Sequence, residues 1–122
     1  MRILLLSRDL LVGSQISGSV RRCNADLQVV SDAAQLLAAA EAEPVKLVII
    51  DLATAGFDID LVVKQIHALD PQPRIVAFGP HVHRAKLSAA RAAGCDCVLS
   101  RGEFCAQTDA ILEEYHSSGE AG

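Results

Sequence analysis

The sequence has no tryptophan, one tyrosine and three phenylalanines, an aromatic share of 3%. A module that stacks bases on aromatic rings has almost nothing to build with here. Positive charge is also short: eleven Lys and Arg stand against fifteen Asp and Glu, a formal net charge of -4. No local basic run supplies the phosphate-binding surface that nucleic acid needs. Long apolar runs are missing as well. Nothing reaches the roughly 18 residues of a membrane span, and the run after Arg2 is too brief for a signal sequence. The expectation is a cytoplasmic protein with no membrane and no nucleic acid among its partners. Cys23, Cys95, Cys97 and Cys105 are irregularly spaced, which in that compartment predicts reduced thiols.

Aliphatic residues dominate what is present. Hydrophobic residues make up 51% of 122 positions, so Ala, Val, Leu and Ile must form the core, and the length suits one domain. Ile3 to Leu6 is a short apolar run ending in Ser7, Arg8 and Asp9, as a buried parallel strand would. Leu11, Val12, Ile16 and Val20 then recur at near-helical spacing up to Arg22. Leu27 to Val30 predicts a second strand, and Ser31 or Asp32 caps an Ala-rich helix that stops by Pro44. Val45 to Ile50 is the most apolar segment and predicts a central strand running into Asp51. A loop with Ala55 and Gly56 leads to a helix from about Ile59 to Leu69, closed by Pro71-Gln72-Pro73. Arg74 to Phe78 reads as a fourth strand broken by Gly79 and Pro80. A helix from about Val82 ends at Gly94, a left-handed cap. Cys97 to Leu99 is the fifth strand, and a last helix runs from about Glu103 to Tyr115. Residues 1–116 are expected to form the folded domain, and 117–122 a fraying tail.

Strands alternating with helices imply a parallel sheet covered on both faces. In such sheets chemistry gathers beyond the carboxyl ends of the strands. That rule singles out Ser7, Arg8 and Asp9, then Asp51, then Phe78 to His83, then Ser100 and Arg101.

Other constellations carry less. His81 and His83 with Cys95 and Cys97 have zinc-binding chemistry. However, the histidines follow a strand and the cysteines enter its neighbour, so about four residues at roughly 3.3 Å each keep the two pairs apart. Gly13 and Gly18 sit in no dinucleotide fingerprint, and no Walker lysine follows them. No Asp-x-His-x-x-Gly loop for cobalamin is present, and no Ser, His and Asp set has a nucleophile-elbow context.

Two segments carry a family resemblance spanning about residues 1–115. Val48-Ile49-Ile50-Asp51, with Leu52 to Asp58 after it, resembles the strand of response-regulator receiver domains that ends in the phospho-accepting aspartate. Gly94-Cys95-Asp96-Cys97-Val98-Leu99-Ser100-Arg101 resembles the segment leading to that family's lysine. The resemblance implies a flavodoxin-like (βα)5 fold, a doubly wound five-stranded parallel sheet of order 2-1-3-4-5, in a stand-alone two-component signalling module. It also implies helpers for Asp51. Ser7 and Arg8 fall where receivers keep an acidic pair for Mg²⁺, Phe78 falls where they keep a hydroxyl, and Arg101 stands for the lysine.

An arginine cannot ligate magnesium, Phe cannot donate a hydrogen bond, and a guanidinium suits carboxylate pairing. The reading that follows is a pseudo-receiver, not an enzyme and without a cofactor, that binds a protein partner while Arg8 and Arg101 hold Asp51. Asp51 salt-bridged only to tie loops together is the plainer version, with Arg8 and Arg101 as surface charges and Phe78 as core or a cap on the cleft. A first alternative is an active phosphorelay receiver taking phosphate on Asp51 from a histidine kinase, with Asp9 helping to hold Mg²⁺. A second is a small-molecule or anion site formed by Gly79, Pro80, His81 and Arg101. His81 would be pH-sensitive if it faced Asp51. No output domain is expected, so any effect passes through association, a homodimer included.

Overall fold

The computed structural model describes residues 1–54 and 56–121, with side chains described as far as His116. Five strands alternate with five helices: β1 (Arg2–Leu6), α1 (Leu10–Arg22), β2 (Asp26–Val30), α2 (Ala33–Ala42), β3 (Leu47–Asp51), α3 (Ile59–His67), β4 (Arg74–Gly79), α4 (Arg84–Ala93), β5 (Cys97–Ser100) and α5 (Arg101–Ala121). The strands form one parallel sheet in the order β2-β1-β3-β4-β5. This is the flavodoxin-like order that the receiver resemblance implies.

Side-chain alternation along the strands builds two cores, one on each face. Leu4, Leu6, Val48, Ile50, Ile75 and Ala77 point to one side, where Leu36 of α2, Val62, Val63 and Ile66 of α3, and Leu87 and Ala90 of α4 cover them. Ile3, Leu5, Leu47, Ile49, Val76 and Phe78 point to the other. There Val12, Ile16 and Val20 of α1 meet Phe104, Ile111 and Leu112 of α5. All five residues of β3 are buried, which is why this segment reads as a continuous apolar run rather than an alternating one. Each such Leu, Ile or Val contributes about 1.5–3 kcal/mol by leaving water.

Several helix ends differ from the sequence expectation, for local reasons. Asp9 caps α1 by accepting from the backbone N–H of Leu11 at 2.9 Å and of Val12 at 3.4 Å, so α1 begins one residue early. Of the two candidate caps for α2, Asp32 is used, accepting from Gln35 N–H at 2.8 Å. Helix α3 ends at His67 rather than Leu69, and α4 starts at Arg84 rather than Val82. Gly94 ends α4 at φ 103, in the left-handed region, where an added Cβ would sit 3.2 Å from the His67 ring. Only glycine takes both the angle and the space.

The last helix corrects the expectation at both ends. It starts at Arg101, directly after β5, and its backbone continues to Ala121, beyond Tyr115. The side chains of 117–121, together with Gly122 and Ala55 of the β3–α3 loop, lie outside the described residues. No helix is long and apolar enough to cross a membrane among the described residues.

Candidate functional site

Because all five strands run the same way, the ends of β1, β3 and β5 meet at one edge. Their following residues line a cleft of about 340 Å³ formed by Arg8, Asp9, Asp51, Ala53, Thr54 and Arg101. The residues expected beyond β1, β3 and β5 therefore do converge. Those beyond β4 do not join them: Gly79, Pro80 and His81 are absent from the cleft wall, and His81 is exposed to solvent.

Asp51 is 3% exposed. Its Oδ2 accepts the Ser7 hydroxyl at 2.8 Å and its Oδ1 accepts the backbone N–H of Ala53 at 3.0 Å. Both donors are uncharged. The Ser7 oxygen accepts in turn from Asp9 N–H at 3.1 Å, so one hydroxyl ties the β1–α1 loop to the acceptor aspartate. Ser7 itself is buried at 4% exposure. In sequence it is a substituted acidic position; in the fold it is the direct partner of Asp51.

The two arginines do not hold Asp51, and this is the principal correction to the sequence reading. Arg8 is exposed, and its Nε donates to the carbonyl of Ser31 at 3.0 Å. Arg101 donates to Asp9 Oδ2 at 2.6 Å. Asp51 enters the electrostatics of Arg101 only as a weaker, longer-range attraction: the guanidinium's pKa is raised mainly by its hydrogen bond to Asp9. The same bond holds the Asp9 carboxyl below the usual carboxylate range, helped by the N–H groups of Val12 and Leu11. Arginine prefers the carboxylate it can reach in good geometry, and that is Asp9, on the loop facing the start of α5.

Phe78 is fully buried and lies away from the cleft. Its ring stacks on Phe104 of α5, with centroids 4.3 Å apart and an interplanar angle of 6°. Of its two bland readings, core is correct and cap on the cleft is not. Strand pairing sets Asp51 beside Phe78, and the Phe78 carbonyl accepts from Leu52 N–H at 2.8 Å. The backbone of β4 thus supports the acceptor loop while the side chain serves the α1–α5 core. Gly79, the next residue, is packed so closely that an added Cβ would meet Leu52 at 3.2 Å.

Thr54 was missed in sequence. It is 8% exposed, its N–H donates to the Asp51 carbonyl at 3.0 Å, and it lines the cleft. The one available signal was a polar residue three places after the acceptor strand's aspartate, too common in loops to single out.

These residues do not fit a resident magnesium ion. A magnesium ion wants six oxygen ligands, several of them waters, and takes one or two carboxylates from the protein. Asp51 supplies one. Asp9 has Oδ1 on the α1 N-terminus and Oδ2 on Arg101, and Arg8 brings a positive charge to the same cleft. No group of three or more His, Cys, Asp and Glu suited to a metal occurs among the described residues. For the two cysteine and two histidine positions the sheet gives the reason: Cys97 pairs with Val76, three residues before β4 ends at Gly79 and the histidine loop begins.

No family model matches the sequence, and no curated protein matches it at a significant level. Solved structures do match in shape. The receiver domain of a sensor histidine kinase from Pseudomonas aeruginosa, with a magnesium ion coordinated in its active-site cleft, superposes with a TM-score of 0.79 at 19% identity, over 93% of this chain and 95% of that one. An orphan response regulator of H. pylori gives 0.78 at 14% identity, over 94% and 95%. The receiver domain of a Saccharomyces cerevisiae response regulator, crystallised with a histidine phosphotransfer protein, gives 0.69 at 13% identity, over 83% and 78%. With its five strands in the order β2-β1-β3-β4-β5 and an aspartate at the end of the third, the chain has the fold of response-regulator receiver domains.

Proposed function

We propose that the protein is a receiver-like signalling module that acts by binding a protein partner, without phosphorylation of Asp51. The observation that carries this reading is the pairing of Arg101 with Asp9 at 2.6 Å. It commits at once the cation that would neutralise a transferred phosphoryl group and the second carboxylate of the cleft, which would help hold a metal. Phosphoryl transfer to a carboxylate depends almost wholly on such positioned charge. Ser7 in the acidic-pair position and Phe78 turned into the core remove two further helpers.

The reading differs from an arginine-locked aspartate. Asp51 is held by neutral donors, and the ion pair in the same cleft ties the β1–α1 loop to the start of α5. A receiver-type partner, such as a kinase or a histidine phosphotransfer protein, then meets a surface that is fixed rather than switched. The phosphorelay alternative needs Arg101 to leave Asp9. Incubation with Mg²⁺ and acetyl phosphate, followed by intact-mass measurement, tests the choice. We expect an unchanged mass; addition of one phosphoryl group, lost in Asp51→Asn, would establish the active receiver instead.

A further inference from the structure

The opposite edge of the sheet holds a cavity of about 420 Å³, larger than the cleft at Asp51. It forms where the α2–β3 and α3–β4 connections enter the sheet beneath the end of α5. Pro44 and Val45 form one side, Pro71 and Gln72 another, and the Tyr115 ring closes it. Arg2, Lys46 and Arg74 bring three cations to a wall with no carboxylate among the described residues, in a chain whose net charge is -4; Glu43, 3.8 Å from Arg2, and Asp96, 3.4 Å from Arg74, lie just outside it.

The register explains how the cations gather. Lys46 N–H donates to the Arg2 carbonyl and Arg74 N–H to the Lys46 carbonyl, each at 3.0 Å. The three residues therefore stand on adjacent chains about 4.8 Å apart, an arrangement that like charges disfavour. Arg2 has a structural task. It donates to the carbonyls of Glu43 at 2.8 Å and Ala39 at 3.0 Å, satisfying the end of α2. Lys46 and Arg74 are less committed. The Lys46 ammonium spends one donor on the His116 carbonyl at 3.1 Å, and Arg74, 59% exposed, reaches Asp96 through one nitrogen at 3.4 Å. Burial, with negative charge nearby, pushes the Tyr115 phenol up to about 12, so it stays a neutral donor beside them. Apolar walls with a few convergent polar groups, in a volume within the roughly 300–1,000 Å³ of small-molecule sites, describe a ligand pocket.

We propose that this cavity is a ligand site for a small organic anion, an aromatic or branched-chain carboxylate, seated with its charge on Lys46 and Arg74 and its apolar body against Val45, Pro71 and the Tyr115 ring. The site is independent of Asp51 and of the proposed partner-binding role. Inorganic phosphate alone would leave the apolar walls wet; a neutral ring would bring no charge to the Lys46 ammonium, whose partner is the His116 carbonyl.

Titration of the full chain with benzoate, followed at backbone amide resonances, tests it. We expect saturable shifts at Lys46, Arg74 and Tyr115 with a Kd on the order of 1 mM, as suits a ligand this small. Benzyl alcohol and inorganic phosphate should each bind about tenfold more weakly or not at all. Lys46→Met and Arg74→Gln should each weaken benzoate by about tenfold, while Asp51→Asn leaves it unchanged. Arg74 is exposed enough that its variant keeps the fold if Lys46→Met does not. Absence of saturation, equal binding of phosphate or benzyl alcohol, or benzoate shifts that survive Arg74→Gln undiminished would overturn the proposal.

Discussion

The two edges of the sheet invert what the fold leads one to expect. At the carboxyl edge, where open α/β sheets place their chemistry, both carboxylates are already engaged: Asp9 by Arg101, and Asp51 by a hydroxyl and an amide. The amino edge has the larger cavity, and of its three cations Arg2 lies 3.8 Å from the Glu43 carboxylate and Arg74 3.4 Å from Asp96, while the Lys46 ammonium reaches the His116 carbonyl. Conserving a fold therefore does not conserve the place where charge is left for a ligand. At the carboxyl edge Arg101 spends its charge on a carboxylate of the same cleft; at the amino edge the connections gather three cations.

This contrast can be broken in several ways. The largest effect concerns what holds the carboxyl edge. Phe104 is 1% exposed and stacked on Phe78 under β4, so Phe104→Ala should cost about 3–5 kcal/mol in urea unfolding. A loss well under 1 kcal/mol would mean that ionic contacts rather than the core fix that edge. Next comes the hydroxyl on Asp51. Ser7→Ala strands a buried carboxylate oxygen and removes the acceptor for Asp9 N–H, a cost of about 1–3 kcal/mol. Wild-type stability in this variant would show that water replaces Ser7 and that Asp51 is more open than its 3% exposure indicates.

Titration separates the edges further. The Asp9 carboxyl, lowered chiefly by Arg101, contributes stability that is present above the ordinary carboxylate pKa and is lost as pH falls through the depressed folded value. Below about pH 4, the fall of the urea midpoint in the wild type should therefore flatten in Arg101→Met. Parallel curves would remove the ion pair from the account. Tyr115 runs the other way: its phenol is raised to about 12, mainly by burial. Its contribution is complete below the ordinary value of about 10 and disappears as pH rises through the folded one. Tyr115→Phe should shrink that alkaline limb, leaving the part that the half-buried Cys95 thiol, raised to about 11, contributes, and leave the acid limb intact. The smallest effect is expected at Arg8, exposed and bonded only to a carbonyl. Arg8→Ala should change stability by no more than about 0.5 kcal/mol, whereas an arginine locking Asp51 would cost several times that.

The fold was legible because each strand is a short apolar run and each helix has a cap or breaker. Asp32, Pro44 and Gly94 mark their boundaries in plain chemistry. The start of α1 shifts because Asp9 has two uses, as the helix cap and as the partner of Arg101. Asp9 read as a spare metal ligand because spacing alone does not reveal that its N–H neighbours make it a helix cap.

The site was legible as a set of residues and misread as a set of bonds. Arg8, Asp9, Asp51 and Arg101 do meet. However, Asp9 and Asp51 stand at the ends of neighbouring strands, and no sequence pattern says which of two adjacent carboxylates an arginine will choose. Phe78 was ambiguous for a related reason. Read as the strand's last residue it falls at the boundary between core and cleft; in the fold β4 runs on to Gly79, and Phe78 points with Val76 to the α1–α5 face, where the Phe104 ring meets it. The amino-edge cavity left no motif at all, since Arg2, Lys46 and Arg74 come together through register, not spacing.

The central proposal is that the cleft at Asp51 holds no divalent ion. Titration with Mg²⁺, followed at the amides of Ser7, Ala53 and Thr54, addresses it most directly. The account predicts no saturable shift at those positions at any Mg²⁺ concentration that leaves the fold intact. Saturable shifts centred on them, abolished by Asp51→Asn, would contradict it and return the protein to the ion-binding receivers whose fold it shares.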